Sequence, residues 1–152
     1  MLMRYLIIGI SFYLFICCNS SSSEPDPGFD YTTYTYKNES DFSIELKIYN
    51  ANNEVIKEYS IPVNESISIP LIERVGTSII NPFKFGNDTS LIGKKVLMTY
   101  NNIKCIENLF SQGKIFDYTT YDNYSDLMLH IYVKELIYTF DNNDYNLATD
   151  CP

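Results

Sequence analysis

The stretch Phe42-Ser43-Ile44-Glu45-Leu46-Lys47-Ile48 decides the expected fold, because apolar and polar residues alternate in it with a period of two. This pattern is typical of a β-strand with one face in the core and the other in solvent. A polar loop follows at residues 50–53, and residues 55–61 have the composition of a second strand. The two strands are therefore predicted to form a hairpin.

Further strand-like segments, separated by turn residues, recur along the rest of the chain. They cover residues 31–36, 66–69, 78–80, 96–100, 103–105, 116–121 and 127–140, with Pro70 expected to end the second of them. Asn101-Asn102 suits a two-residue hairpin turn, which would place Tyr100 opposite Ile103 and Met98 opposite Cys105. From residue 127 to residue 140 the apolar positions change from odd to even near Lys134-Glu135. This change predicts a β-bulge or a sharp bend, or a strand buried on both faces.

Many short strands and frequent turns favour an all-β fold, an antiparallel β-sandwich of the immunoglobulin-like or transthyretin-like kind. Asp141 is expected to cap a short C-terminal helix that reaches Ala148, with Asp144 near its positive end. The chain contains 14 Tyr, nine Phe and no Trp, so Tyr and Phe must supply the large groups of the core.

The first residues have the pattern of a signal peptide. Arg4 is their one charge, and the apolar run from Tyr5 to Ile16 is shorter than the roughly 20 residues that span a membrane. The run ends at Cys17-Cys18, and a polar Ser-rich segment follows. These residues resemble a bacterial lipoprotein signal peptide, in which a cysteine becomes the first residue of the mature chain and is acylated.

The resemblance implies how the chain is divided. Residues 1–17 would be the signal peptide, with an N-terminal signal helix, residues 18–30 a flexible tether, and residues 31–152 a single β-sandwich domain. Cys18 is the expected acceptor because the residue before it is small, and Cys17 is the alternative. Several acyl chains hold a protein stably in a bilayer, so the resemblance implies permanent membrane attachment through the lipid anchor.

Other segments point to the same class of protein. The Ser run followed by Glu24 and Asp26 is either a plain spacer or the acidic tether of surface-exported lipoproteins. The domain resembles small Bacteroidetes-type lipoproteins of uncharacterised function, which implies a sandwich at the outer membrane or cell surface and no established activity. The matching segments are Tyr34-Thr35-Tyr36-Lys37-Asn38, Ile48-Tyr49-Asn50, Ser66-Ile67-Ser68-Ile69 and Tyr138-Thr139-Phe140-Asp141.

The charge of the chain limits its partners. Its formal net charge is −8, from 11 basic and 19 acidic residues. This balance disfavours nucleic acid, whose binding requires basic patches. It also disfavours electrostatic docking onto anionic lipid, so the expected link to the membrane is covalent.

Cysteine chemistry is expected at one further place in the domain. Cys105 and Cys151 are predicted to form a disulfide in an oxidising compartment, the alternative being two free thiols. The disulfide would close a loop of about 47 residues and stabilise the fold by up to roughly 4 kcal/mol.

Residues that carry catalysis or bind metals are not indicated. The single histidine, His130, lies in a predicted strand without a Gly-x-Ser-x-Gly nucleophile motif elsewhere. The run from Asp141 to Asn146 is better explained by helix capping than by calcium binding. Four acidic residues, Glu39, Asp41, Glu45 and Glu58, are ordinary for exposed strands, although a facing pair would suit a glycosidase. We therefore expect no catalytic, cofactor-binding or metal-binding residues.

The sequence thus predicts a membrane-anchored envelope lipoprotein with a non-catalytic role in binding, adhesion or assembly, and a protein or glycan as partner. The alternative is an envelope hydrolase or a carbohydrate-processing accessory enzyme. A third hypothesis is a structural subunit that assembles by β-strand addition. A deep cleft with paired carboxylates would favour the enzyme, and a flat Tyr-rich face or an exposed edge strand would favour the binding protein.

Overall fold

The structure is a computed structural model, and it describes residues 25–75, 81–110, 112–119 and 122–151. Within these residues the chain forms nine strands: β1 Phe29–Asn38, β2 Ile44–Tyr49, β3 Val55–Ile61, β4 Ser66–Arg74, β5 Lys95–Tyr100, β6 Lys104–Leu109, β7 Ser125–His130, β8 Val133–Phe140 and β9 Thr149–Asp150. The helices are α1, Asn142–Leu147, and two 3₁₀ helices, Thr89–Leu91 and Lys114–Thr119. The predicted signal peptide, Cys17, Cys18, the first part of the tether and the predicted strand at residues 78–80 lie outside the described residues.

The strands form two sheets, and the predicted all-β sandwich with a short C-terminal helix is confirmed. One sheet has the order β4-β1-β8-β7 and the other the order β3-β2-β5-β6-β9. Most neighbouring strands are antiparallel, but β1 and β8 are parallel, with Tyr31 beside Val133 and Asn38 beside Phe140. The expectation of an antiparallel sandwich therefore misses one pair. Hydrophobic periodicity reports which face of a strand is buried, not the direction of its neighbour.

The alternating residues 44–48 lie in β2, an inner strand of the second sheet. Ile44, Leu46 and Ile48 of β2 are buried, and the polar residues between them are only partly buried. The predicted hairpin of β2 and β3 is confirmed, with Ile44 opposite Ile61. β2 also pairs with β5, which covers its second edge.

Aromatic residues fill the space between the sheets, as their abundance predicts. Tyr34, Tyr36, Tyr138 and Phe140 point inward from β1 and β8 and are almost fully buried. The ring of Tyr36 contacts several others, among them Phe140, at a centroid distance of 6.5 Å. Burial raises the pKa of the Tyr36 hydroxyl well above its usual range, so the group stays protonated.

The turn between β5 and β6 differs from the prediction by one residue. Asn101 and Asn102 both have positive φ, 49° and 57°, as their side chains allow. The loop extends to Ile103, however, so Tyr100 pairs with Lys104 and Met98 with Ile106. The predicted pairing of Met98 with Cys105 is therefore wrong, and Cys105 lies opposite Thr99 instead.

The apolar positions after residue 127 change from odd to even numbers because the chain reverses direction there, and not because one strand bends. β7 and β8 form a hairpin that turns at Ile131-Tyr132. The register shifts between Met128 and His130, so an irregularity does exist, but before the turn and not at Lys134-Glu135. Burial on both faces is also wrong, because Leu127 and Leu129 are exposed.

Two other expectations are corrected. Pro70 does not end β4, which continues to Arg74. β4 is an edge strand, where a residue without a backbone N–H is tolerated. Residues 116–119 of the predicted strand belong instead to the 3₁₀ helix Lys114–Thr119, which places Phe116 and Tyr118 in the core. Residues 120 and 121 lie outside the described residues.

The two ends of the sandwich differ, and we name them by their chemistry. The apolar end comprises the start of β1 at Phe29, the end of β4 at Arg74 and Val75, and the turn at Ile131-Tyr132. The polar end comprises residues 38–43, residues 101–103 and α1. Here the Asn101 N–H donates to the Ser43 carbonyl at 2.9 Å, and Asn142 Nδ2 donates to Asp41 Oδ2 at 2.9 Å.

Candidate functional site

The helix α1 begins with the cap that the sequence predicts. The backbone N–H groups of Asn143 and Asp144 donate to Asp141 Oδ1 at 2.8 and 3.1 Å. In return the Asp141 N–H donates to Asp144 Oδ2 at 3.4 Å, which completes a capping box. The helix is held on the sandwich by Tyr145, whose ring stacks on that of Phe42 at 3.7 Å.

The segment after α1 is held by strand pairing and a disulfide. β9 pairs with Lys104 and Cys105 of β6, and the Cys151 N–H donates to the Ile103 carbonyl at 3.0 Å. Cys105 and Cys151 form a disulfide with a Cα–Cα distance of 5.1 Å, the pair that the sequence predicts. The short α1 is therefore stabilised by the capping box at its start, and by strand pairing and the disulfide in the segment that follows it.

A cleft of about 310 Å³ lies beside this helix, and we call it the helix cleft. It is bounded by β6, by the turn that leads into the 3₁₀ helix Lys114–Thr119, by β8 and by α1. Its polar lining residues are Glu107, Asn108, Gln112, Lys114, Tyr138 and Asp144. A depression of about 210 Å³ adjoins it and shares Lys114, Tyr138 and Asp144 with it.

Asp144 provides a carboxylate in the cleft. Its side chain is largely buried and lies 3.9 Å from Nζ of Lys114, measured to Oδ1. Burial raises the pKa of Asp144, and the Asp141 backbone N–H and the charge of Lys114 oppose this shift without cancelling it. The pKa of Asp141 is lowered: burial acts against the shift, but the hydrogen bonds from the Asp144 and Asn143 backbones outweigh it. The cap therefore contains one carboxyl group with a raised pKa, that of Asp144, and one with a lowered pKa, that of Asp141.

Asn108 provides the least expected feature of the cleft. Its side chain is 7% exposed, and in the described part of the chain its Nδ2 has no hydrogen-bond acceptor. An amide donor that is buried without a partner costs about 1–3 kcal/mol. Such a cost is uncommon in a folded domain, and an acceptor supplied by a bound molecule would remove it.

Gly113 allows this arrangement. A Cβ at residue 113 would lie 2.4 Å from both Cβ and Oδ1 of Asn108, so the main chain passes the amide at closer range than a side chain permits. The turn therefore confines Asn108 from one side, and both residues line the cleft.

Two tyrosines complete the surroundings of Asp144. Burial raises the pKa of Tyr138 and of Tyr100, and the nearby carboxylate of Asp144 raises both further. The two phenols therefore remain protonated and can act as hydrogen-bond donors. The hydroxyl of Tyr100 is buried and has no partner among the described residues.

The acidic residues singled out in the sequence do not come together at one site. Glu39 forms an ion pair with Lys37, and Asp41 binds Asn142. Glu45 and Glu58 line a shallow depression on the outer face of the second sheet, where Glu58 lies 4.0 Å from the Lys47 ammonium. His130 is the last residue of β7 and pairs with Val133 through the backbone.

The helix cleft was missed by the sequence argument, which considered only Asp141 and Asp144 and only as caps. Its residues come from three strands, a turn, the start of a 3₁₀ helix and α1, and none of them belongs to a short motif. Across the described segments, His, Cys, Asp and Glu side chains form no group of three or more that could hold a metal ion. In the same segments no helix is long and apolar enough to span a bilayer.

The chain was compared with protein-family models, with curated proteins and with solved structures, and it matches none of them.

Proposed function

We propose that the chain is a lipid-anchored lipoprotein of the outer membrane or cell surface whose β-sandwich binds a small hydroxyl-rich ligand, such as a glycan unit, in the helix cleft. The role is binding without chemical change of the ligand. The observation that carries the proposal is the unpartnered amide of Asn108 in a cleft that also contains a carboxylate and an ammonium group.

The arrangement of the polar groups supports a sugar-like ligand. A sugar hydroxyl donates one hydrogen bond and accepts others, so it suits a site with donors and acceptors side by side. Asn108 and Lys114 supply donors, and Asp144 supplies an acceptor. The remaining lining is apolar, from Met98, Ile106 and Leu147, which suits the C–H faces of a sugar ring.

Support for the anchor comes from the sequence. An apolar run of signal-peptide length ends at Cys17-Cys18, and a polar Ser-rich segment follows before β1 begins at Phe29. This order suits a protein that is acylated at Cys18 and carries its domain outside the bilayer.

Binding can be tested by NMR on the mature chain from residue 18 with Cys18→Ser, titrated with neutral hexoses and their N-acetyl derivatives. We expect amide shifts at residues 108, 113, 114 and 144. Asn108→Leu should abolish them and leave the free energy of unfolding unchanged or raised by up to about 1 kcal/mol, because the unsatisfied donor is removed. Asn52→Leu, in the loop between β2 and β3, is the matched control and should bind normally. Equal binding by Asn108→Leu, or no shift with any sugar, would contradict the proposal.

The anchor is tested separately by palmitate labelling and cell fractionation. Cys18→Ser should lose the label and leave the membrane, whereas Cys17→Ser should keep both. Labelling that disappears only in Cys17→Ser identifies Cys17 as the acceptor. Absence of label in the unaltered protein rejects the anchor.

A second candidate function is hydrolysis of a glycan in the depression that adjoins the helix cleft, which both Asp141 and Asp144 line. It is favoured by two neighbouring carboxyl groups with opposite pKa shifts, Asp144 raised and Asp141 lowered, as an acid and its partner require. Incubation with aryl glycosides tests this function. Turnover that Asp144→Asn abolishes would favour the enzyme, whereas binding without turnover favours the binding protein.

A further inference from the structure

The hairpin of β7 and β8 exposes an unusual amount of apolar surface. Met128, Leu129 and Ile131 are 65%, 60% and 74% exposed, and we call these three residues the hairpin tip. Met128 and Ile131 line one small depression, and Leu129 follows Met128 in β7. Isolated exposed apolar residues are ordinary in soluble proteins, but a contiguous group indicates a contact surface.

The apolar surface continues across the same end of the first sheet. Ile72 and Val75, at the end of β4, are also exposed. β1 lies between β4 and β8 in the sheet and begins at this end, with Phe29 opposite Arg74. The exposed apolar residues therefore extend along this end of the first sheet, beyond the tip of one hairpin. The loop at residues 50–54, at the same end of the second sheet, is polar.

The chain reaches the sandwich at this end. The Tyr31 N–H donates to the carbonyl of Tyr132 in the hairpin turn at 2.8 Å, and the Val75 N–H donates to the Gly28 carbonyl at 3.1 Å. The residues that follow Cys18 in the sequence therefore lead to the apolar end and not to α1 or the disulfide.

The length of the preceding segment keeps this end near the proposed anchor. Residues 26–29 form a turn, in which the Phe29 N–H donates to the Asp26 carbonyl at 3.0 Å. The segment between Cys18 and this turn is therefore seven residues long and can span at most about 25 Å. A group tethered at such a distance meets the surface at an effective concentration on the order of millimolar. Weak apolar contacts that would not hold a dissolved protein can then be occupied most of the time.

We propose that the apolar end docks on the bilayer that carries the acylated Cys18, with the hairpin tip inserted among the lipid headgroups and the upper acyl chains. The inference rests on the proposed lipid anchor and adds an orientation to it. The capping box of α1 and the disulfide, at the polar end, then lie away from the membrane.

The charge of the chain agrees with this mode of contact. A net charge of −8 disfavours attraction to anionic headgroups, so the contact must be apolar and should not require acidic lipid. In the register of the first sheet both acidic and basic residues lie near the hairpin tip, so the local charge is mixed and gives no net attraction to anionic lipid. These residues are Asp30, Asp126, Arg74 and Lys134. The expected partner surface is zwitterionic lipid such as phosphatidylcholine.

The composition of the mature chain makes a clean test available. Because the chain contains no Trp, a single introduced Trp is the only indole emitter. Because Cys105 and Cys151 are paired, Cys18 is the one free thiol from residue 18 onward. The mature chain can be coupled through Cys18 to a maleimide lipid in phosphatidylcholine vesicles. This coupling replaces the biological anchor, so docking is tested even if acylation fails.

Two variants then report the orientation. Ile131→Trp places the probe at the hairpin tip, and Ile103→Trp places it at an equally exposed residue of the polar end, since Ile103 is 60% exposed. Brominated phosphatidylcholine should quench Ile131→Trp at least about twofold, as for a side chain 5–10 Å below the surface, and shift its emission to shorter wavelength. Ile103→Trp should be unaffected.

Each outcome bears on the proposal. Quenching of Ile131→Trp alone supports it, and addition of Leu129→Ser to that variant should reduce the quenching. Equal quenching of both probes, or of neither, overturns it. A blue shift of Ile131→Trp that needs no lipid and accompanies dimer formation also overturns it, because a second copy then covers the hairpin tip through the edge strand β7. Thermal unfolding of both variants before coupling shows that they are folded.

Discussion

The two ends of the sandwich are built in opposite ways. At the polar end the turns are joined by side-chain hydrogen bonds, α1 begins with a capping box, and a disulfide holds the last residues. At the apolar end the sheet finishes in exposed aliphatic side chains at residues 72, 75, 128, 129 and 131. The sequence contains no obvious division of this kind, since polar turn residues are spread along the whole chain.

The comparison indicates that interactions at the polar end stabilise the fold, whereas the exposed aliphatic side chains of the apolar end are free to contact another surface. Substitutions at the polar end should leave buried polar groups unpaired or release a constraint, and both effects lower stability. Substitutions at the exposed apolar residues remove little that the folded state uses. Stability measurements on the two ends should therefore diverge, and four sets of variants, seven variants in all, test how far.

The largest effect is expected from the disulfide. Replacement of Cys105 and Cys151 together by Ala should lower the free energy of unfolding by about 4 kcal/mol, because the closed loop of about 47 residues no longer restricts the unfolded chain. Urea unfolding monitored by circular dichroism measures the change. A loss below about 1 kcal/mol would mean that strand pairing alone secures the C-terminal segment.

The second largest loss of stability is expected when Asn38 is replaced. Its side chain is fully buried, and its Nδ2 donates to the carbonyls of Phe42, Ile61 and Pro62 at 2.8, 3.0 and 3.1 Å. Its Oδ1 accepts from both the N–H and the hydroxyl of Ser40. Asn38→Ala should cost about 3 kcal/mol, since several buried groups lose their partners.

The control for Asn38 lies at the same end. Asn142 is exposed, and its Nδ2 makes one hydrogen bond to Asp41. Asn142→Ala should change the free energy of unfolding by no more than about 0.5 kcal/mol. Equal losses in the two variants would show that burial does not distinguish the asparagines of the polar end.

The fold could be predicted wherever the decisive interaction is local. Alternation in residues 42–48 predicts β2, and the position of Asp141 before an acidic turn predicts the cap of α1. The three-residue loop at residues 101–103 could not be placed, because two asparagines with positive φ fit loops of either length. In residues 127–140 the change of parity was visible, but a bulge and a reversal produce the same pattern.

The helix cleft could not be predicted for a different reason. It depends on Asn108, Gly113, Lys114 and Asp144 meeting across four elements, and each residue alone is ordinary. The unpartnered amide of Asn108 exists only because the Gly113 main chain approaches it closely. The parallel pairing of β1 with β8 is likewise tertiary, and it brings the start of β1 beside the hairpin turn at Ile131-Tyr132.

A smaller effect with a defined pH dependence is expected at the helix cap. Asp141→Ala removes the acceptor for two backbone N–H groups and should cost about 1 kcal/mol at pH 7. The hydrogen bonds lower the pKa of Asp141 below its usual value of 3.8, so its contribution is present above that pH. The contribution is lost as the pH falls through the lowered pKa.

Asp144 should show the opposite dependence. Its raised pKa means that its contribution is fully present below pH 3.8 and is lost as the pH rises through the raised value. Urea unfolding of Asp141→Ala and Asp144→Asn between pH 3 and 7, against the unaltered chain, separates the two groups. Differences that do not vary with pH would show that neither carboxyl changes its pKa on folding.

The smallest effect on stability is expected at the hairpin tip. This effect shows whether the apolar end is a contact surface or a part of the core. Ile131→Ser should change the free energy of unfolding by no more than about 0.5 kcal/mol, because the side chain is mostly in water in the folded state. Leu136→Ala, in the same hairpin but fully buried, should cost about 3 kcal/mol. A similar loss in both variants would mean that Ile131 packs within the domain, and the apolar end would then be part of the core. If Ile131→Ser leaves the free energy of unfolding unchanged, the variant is still folded. Any loss of membrane contact in this variant can then be assigned to the missing apolar side chain alone.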